Sequence, residues 1–184
     1  MSDGLREPGK LKTSIGQVIL TVLIILVVFA GVQFTMQSFR VKGESMEPSF
    51  HSGEYIIVNK LTYRFSSPKR GDVVVFRNPE LPDELYIKRI VGLPGETVEI
   101  KAGEIYIDGH VLEERPVFAE ILYDNYSATV PDGKYFVVGD NRVATSGSHT
   151  FGPVPRQNIV GKLWISYWPP REWGLSPSYA AAVE

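Results

Sequence analysis

Two groups in this sequence have a type and a setting that suit chemistry, a serine hydroxyl and a lysine amine. Ser45 lies in the run Gly43-Glu44-Ser45-Met46-Glu47-Pro48, and Lys88 in Leu85-Tyr86-Ile87-Lys88-Arg89-Ile90-Val91, some forty residues further on. A serine hydroxyl attacks a carbonyl only when a base removes its proton; histidine is the usual base and a neutral lysine can replace it. Lysine titrates near 10.4 in water, so a base working near neutrality needs its pKa depressed by roughly 4 kcal/mol, which burial among apolar groups supplies. The run around Lys88 reads as a strand, and a period of two puts Lys88 on one face with Tyr86 and Ile90 while Arg89 points the other way. Plainer roles fit the same residues: an edge-strand lysine that discourages aggregation, and a hydroxyl in an ordinary turn before Pro48. Ser45 lacks the second glycine of a nucleophile elbow, so an α/β-hydrolase is not indicated.

The elements that must position this pair begin with an apolar span. From Thr13 to Phe39 there is no Asp, Glu, Lys or Arg, and Val18 to Val32 is almost wholly apolar. About 20 helical residues cross a ~30 Å hydrocarbon core, and residues 15–34 supply them, with Gln17, Thr21 and Gln33 near the ends. A cleaved secretory signal is the rival reading, since Lys10 and Lys12 precede the span and Val28-Phe29-Ala30 resembles a cleavage site; the length of the run favours a retained anchor. Arg6, Lys10 and Lys12 lie before the span and Arg40 and Lys42 after it, a distribution that favours a cytoplasmic N-terminus. The expected arrangement is a cytoplasmic segment over residues 1–14, a transmembrane helix over 15–34, an extracytoplasmic domain over 35–175 and a loose tail over 176–184, with the chain crossing the cell membrane once.

Composition removes several function classes. The formal net charge of -2 gives no electrostatic case for nucleic acid, and the absence of cysteine excludes disulfides, thiolate catalysis and cysteine–zinc sites. His51, His110 and His149 are too widely spaced for a recognisable zinc motif, so neither a metal nor a cofactor is expected. The domain reads as mostly β. Tyr55-Ile56-Ile57-Val58, Val73-Val74-Val75-Phe76, Thr97-Val98-Glu99-Ile100 and Tyr135-Phe136-Val137-Val138 are short runs of β-branched and aromatic residues. Residues 104–112 form a hairpin signal around Asp108-Gly109, and Pro94-Gly95, Pro131-Asp132-Gly133 and Gly71 mark further turns. Residues 113–128 read as an extended excursion, with no long amphipathic helix after the anchor. Trp164, Tyr167, Trp168 and Trp173 suit either a membrane interface or the end of a core strand; Trp164 is expected in the core and the other two tryptophans are left open.

Four ordered blocks together resemble the type I signal peptidases, membrane-bound serine proteases of peptidase family S26 that remove signal peptides from exported proteins. They are Gly43 to Ser49, Arg70-Gly71-Asp72-Val73-Val74-Val75-Phe76, Tyr86 to Glu96, and Gly139-Asp140-Asn141-Arg142. The resemblance covers nearly all of the chain after the anchor. It implies Ser45 as nucleophile, Lys88 as general base, the Ser45 N–H in the oxyanion hole, and a β-rich catalytic domain on the outer face of the membrane. Met46, Phe50, Tyr86 and Ile87 would line a shallow apolar pocket that favours Ala-x-Ala before the cut, and the peptide would bind extended beside a strand edge. Signal peptides of exported precursors and membrane lipid are the implied partners. Asp140, Arg142, Thr145 and Ser148 take supporting roles, Thr145 standing where the family has a serine that orients the lysine. The last block departs from the family at Gly147 and His149, where the family has aspartate and arginine, and Gly43 stands where some members place a serine donor. Two other readings remain: a self-cleaving Ser–Lys protease related to certain repressors, and an inactive or narrow-specificity anchored β-domain that binds exported peptides.

Overall fold

The computed structural model describes residues 15–113, 125–143, 146–175 and 182–183. They divide into two units, Met1–Thr35 and Met36–Glu184. The first contributes helix α1 (Ile15–Thr35), whose 21 residues include no buried side chain. At 1.5 Å per residue it is about 31 Å long, the thickness of a hydrocarbon core. A helix satisfies its own backbone hydrogen bonds, so an uncovered apolar helix is suited to lipid. It ends one residue beyond the expected span.

The second unit runs β1 (Met36–Arg40), β2 (Tyr55–Asn59), α2 (Thr62–Phe65), β3 (Val73–Arg77), β4 (Leu85–Gly92), β5 (Thr97–Lys101), β6 (Glu104–Ile107), β7 (His110–Glu113), β8 (Tyr126–Thr129), β9 (Lys134–Val138), α3 (Ser148–Phe151), β10 (Val154–Pro155), β11 (Ile159–Trp168), β12 (Gly174–Leu175) and β13 (Ala182–Val183). One sheet has the order β1-β2-β11-β3-β4-β9-β10, with β12 added to β11, and the other has the order β13-β7-β6-β5-β8. Every strand pair is antiparallel. Residues 73–76 are all buried because β3 is interior to the sheet and both its faces are covered. Val73 and Val75 join Met46, Phe50, Ile56 and Leu163 on one side, while Val74 and Phe76 join Ile90, Val137 and Phe151 on the other. Such two-sided burial produces a continuous apolar run instead of an alternating one.

The expected hairpin is present: Asp108 and Gly109, with φ of 51° and 84°, connect β6 to β7. Both positive values are what a type I′ turn requires. Ala102-Gly103 makes a second such turn, with φ of 52° and 77°; its alanine carries no sequence signal for that conformation. Of the expected excursion over 113–128, residues 114–124 lie outside the described residues, and Tyr126–Thr129 is β8. Within the expected tail, Ala182–Val183 pairs with β7.

One expectation is corrected. Trp164 is exposed, as are Trp168 and Trp173, and Leu163 takes the core position. The register of β11 against β2 shifts between Leu163 and Ile165. Alternation along β11, with Gly161 and Leu163 buried, puts Trp164 on the face opposite the core, and the register shift after Leu163 changes the alternation beyond it.

Candidate active site

Ser45 sits in the loop that joins β1 to β2. The ends of that loop are pinched by bonds from the Val41 N–H to the Glu54 carbonyl, 2.8 Å, and from the Gly53 N–H to the Val41 carbonyl, 2.9 Å. Met46 and Phe50, 0% and 2% exposed, anchor the loop in the core. Asn141 clasps the turn that carries Ser45 from the other side. Its backbone N–H donates to the Ser45 carbonyl at 3.2 Å and its side-chain amide to the Glu44 carbonyl at 3.2 Å. Asn141 has no expected role from sequence, and its place beside Asp140 in the Gly139-Asp140-Asn141-Arg142 block is the one signal that marks it.

Lys88 lies on β4, between β3 and β9, with Val74 opposite it. It is 3% exposed, which removes the edge-strand reading. Alternation puts Tyr86, Ile90 and the cross-strand Val74 on its face, and all three belong to one apolar cluster. Burial there pushes the amine down to about 8, against the opposing pull of the Asp140 carboxylate. A neutral amine is therefore accessible close to neutrality.

Asp140 would hold Lys88 protonated if its charge were uncompensated. Arg89 takes both carboxylate oxygens, Nε at 2.7 Å and Nη2 at 2.6 Å, while Nη1 donates to the Gly71 carbonyl at 2.9 Å. A planar guanidinium suits this two-pronged contact, which joins β4 to the segment after β9 and to the turn before β3. The second block is tied in by Arg70, which donates to the Val91 carbonyl and meets Glu96 at 2.6 Å.

The remaining supporting residues divide. The Ser148 hydroxyl accepts from the Val137 N–H at 2.9 Å, fixing α3 to β9. Arg142 Nε donates to the Gly139 carbonyl at 2.8 Å within its own turn. Thr145 lies outside the described residues. At the departures from the family pattern, a Cβ on Gly147 would stand 2.9 Å from the Val137 carbonyl oxygen and 3.1 Å from His149 Nδ1. The imidazole thus occupies the space that a side chain at 147 would need. Burial and the charge of Lys88 lower the His149 pKa.

Ser45 and Lys88 open into one cleft of about 650 Å³, with Tyr86, Ile87 and Ser146 also in its lining. Met46 and Phe50 are not in that lining, being buried in the cluster that Ile87 packs against. Among the described residues, His51, Glu54 and Glu172 bring metal-type donor atoms within 4.8 Å of one another. Both Glu54 oxygens already accept hydrogen bonds, from the His51 N–H at 2.6 Å and the Ser166 hydroxyl at 2.9 Å. The cleft thus holds a hydroxyl, an amine able to lose its proton near neutrality, and apolar walls, a combination suited to acyl transfer.

Comparison with known proteins gives a consistent result. The family described as signal peptidase, peptidase S26, matches residues 14–168. A probable signal peptidase I-1 of Synechocystis is 36% identical over 153 residues, covering 79% of this chain and 78% of that protein. A signal peptidase I of Leptolyngbya laminosa is 39% identical over 157 residues, covering 79% and 77%. Signal peptidase I V of Bacillus subtilis is 38% identical over 139 residues, covering 68% and 82%.

Proposed function

Given that this chain belongs to the signal peptidase family, peptidase S26, we propose that it is a membrane-anchored serine endopeptidase in which Ser45 is the nucleophile and Lys88 the general base. It removes N-terminal signal peptides from exported precursor proteins after small residues. The observation that carries the residue assignment is the meeting, in one cleft, of the Ser45 hydroxyl with a lysine whose pKa is pushed down to about 8.

Neutral Lys88 accepts the Ser45 proton as Oγ attacks the scissile carbonyl carbon. The resulting oxyanion accepts a bond from the Ser45 N–H, a donor whose direction is set by the turn that Asn141 clasps. The ammonium then gives its proton to the departing amine of the mature protein, leaving the signal peptide esterified to Oγ. Lys88, neutral again, takes a proton from water, the hydroxide adds to the ester carbonyl, and Ser45 regains its proton as the signal peptide leaves. Tyr86 and Ile87 wall the pocket for the residue before the cut, where small side chains fit. Gly43, with φ of 80°, supplies no side-chain donor, so the second oxyanion donor is a backbone group, a water or another side chain.

Helix α1 anchors the enzyme in the cell membrane with residues 1–14 in the cytoplasm and the catalytic domain outside, where cleavage sites emerge. The test incubates purified protein with an exported precursor and sequences the new N-terminus. Cleavage after Ala-x-Ala, lost in Ser45→Ala with insertion intact, supports the reading; equal cleavage by Ser45→Ala removes that serine. External protease should reach Thr35 onward in sealed right-side-out vesicles, and a domain facing the cytoplasm would defeat the assignment. Gly147 and His149 give the second reading, an inactive peptide-binding domain, its one specific support; absence of any new N-terminus would favour it.

A further inference from the structure

The cleft that holds Ser45 and Lys88 extends well past them. Its lining includes Arg40 and Lys42 at the end of β1, and Asp83 and Glu84 just before β4. In the sheet order β1 and β4 are separated by β2, β11 and β3. Two strands so far apart can line one cleft only if the sheet curls and sets them on opposite walls, with Ile56 of β2 and Val75 of β3 between them. One wall therefore carries two cations and the other two carboxylates.

All four residues are exposed. Among the described residues none of them forms an ion pair, with each other or with a third group. No ion pair among the described residues joins the two sets of charges across the cleft, so they are left to whatever lies between them. Arg40 is steadied by its guanidinium lying over the Tyr55 ring, 5.8 Å from the centroid. An extended peptide sends successive side chains to opposite sides, so walls of opposite sign read it at neighbouring positions. Glu84 precedes Lys88 by four residues of extended chain, about 13 Å, which equals about four residues of a peptide lying alongside.

We propose that these residues read charge in the precursor: Arg40 and Lys42 receive an acidic side chain, and Asp83 and Glu84 a basic one, about four residues from the scissile bond. The inference rests on the endopeptidase reading and adds to it a selectivity separate from the small-residue pocket at Tyr86 and Ile87. Because these contacts form equally in the bound peptide and the transition state, they act on KM and leave kcat unchanged. Being exposed, they weaken with salt.

The test uses the full chain in detergent micelles and a neutral reference peptide with an Ala-x-Ala cut site. A panel carries a single Asp or Lys at each position from three to six residues either side of the cut. At least one position should show an Asp-to-Lys preference in kcat/KM of roughly two- to fivefold, carried by KM and abolished at high salt. The double variant Arg40→Glu/Lys42→Glu should reverse that preference, each charged peptide being measured against the neutral reference cleaved by the same variant. Asp83→Lys/Glu84→Lys should reverse a Lys preference at an adjacent position. If the native protein does not cleave the neutral reference, the endopeptidase reading falls and this inference with it. If the reference is cleaved but the panel is flat, or the preferences persist through both charge reversals, the inference alone is overturned.

Discussion

Lys88 and Arg89 are neighbours on one strand, 3% and 4% exposed, and the protein treats their charges in opposite ways. Alternation sends them to opposite faces of β4. Arg89 meets both oxygens of Asp140 and the Gly71 carbonyl, so its charge is compensated and its fork filled. Lys88 shares its face with Val74, Tyr86 and Ile90, and its amine is pushed down to about 8. The difference teaches that a buried charge needs partners: Arg89, a guanidinium that cannot shed its proton, is given them, whereas Lys88 lies among apolar groups that disfavour its charged form. One buried cation holds the scaffold together, and the other is made ready to give up its charge. Asp140 links the two, because the carboxylate that Arg89 occupies is the one that pulls Lys88 toward its charged form.

The strongest way to break this contrast is to make the two residues alike. In Lys88→Arg the guanidinium stays protonated at every working pH and cannot accept the Ser45 proton. Peptide cleavage should fall by roughly four orders of magnitude or more, by analogy with loss of a base that acts as a unit with its nucleophile. A fully active Lys88→Arg enzyme would rule out the dyad.

On the other face, Arg89→Met leaves Asp140 buried without its partner, and urea unfolding should show a loss of about 3–5 kcal/mol. Arg89→Met/Asp140→Leu should recover most of it, since removing both charges leaves no uncompensated ion. If the double variant is no more stable than the single, the ion pair is not what Arg89 contributes.

A subtler asymmetry concerns stability. Lys88 binds its proton with a pKa of about 8 in the folded protein against 10.5 for the ordinary side chain. Below pH 8 both states are protonated and the folded state bears the cost of the buried ammonium. Between the two values the unfolded chain keeps a proton that the folded one has lost, so unfolding free energy rises with pH across that window. Lys88→Met should abolish this rise and make the domain more stable at pH 7 by up to about 3 kcal/mol, while eliminating activity. Correspondingly, kcat/KM of the native enzyme should climb with pH to a midpoint near 8. A flat activity profile from pH 6 to 10, or a Lys88→Met protein that loses stability at pH 7, would contradict the assignment.

Much of this contrast is legible in the sequence, because period two on β4 already separates Lys88 from Arg89 and gives Lys88 apolar neighbours. The strands at 55–58, 73–76, 97–100 and 135–138 announce themselves through β-branched and aromatic runs, and the hairpin through Asp108-Gly109. What stays hidden depends on partners distant in the chain. Nothing local joins Arg89 to Asp140 or Asn141 to Ser45; those bonds exist only after β4 pairs with β9 and brings the fourth block beside the first. The register shift after Leu163 is hidden for a similar reason, since it is a property of two strands and not of one. Met46 and Phe50 are pocket residues by the family resemblance alone, and their packing with Ile56, Val58 and Leu163 from other strands is not legible in their own stretch of sequence.

The smallest effect concerns which hydroxyl steadies Lys88. By position Thr145 is expected to donate or accept the orienting bond, and it lies outside the described residues, whereas Ser146 next to it is in the cleft lining with Ser45 and Lys88. One orienting hydrogen bond contributes about 0.5–1.5 kcal/mol, so Thr145→Ala should lower kcat/KM roughly two- to tenfold. Thr145→Ser, which keeps the hydroxyl, should be nearly neutral. Ser146→Ala should also be nearly neutral if Ser146 serves only as wall. Because a hydroxyl that positions an amine acts only when that amine takes the proton, the Thr145→Ala loss should sit in kcat with KM little changed. The reverse pattern, a silent Thr145→Ala beside a damaging Ser146→Ala, would move the orienting role to Ser146 and displace the ungapped correspondence of the last block by one residue. It would also sharpen the contrast on β4: Arg89 is fixed by a carboxylate fork between strands, while Lys88 would be steered by a single hydroxyl from a loop.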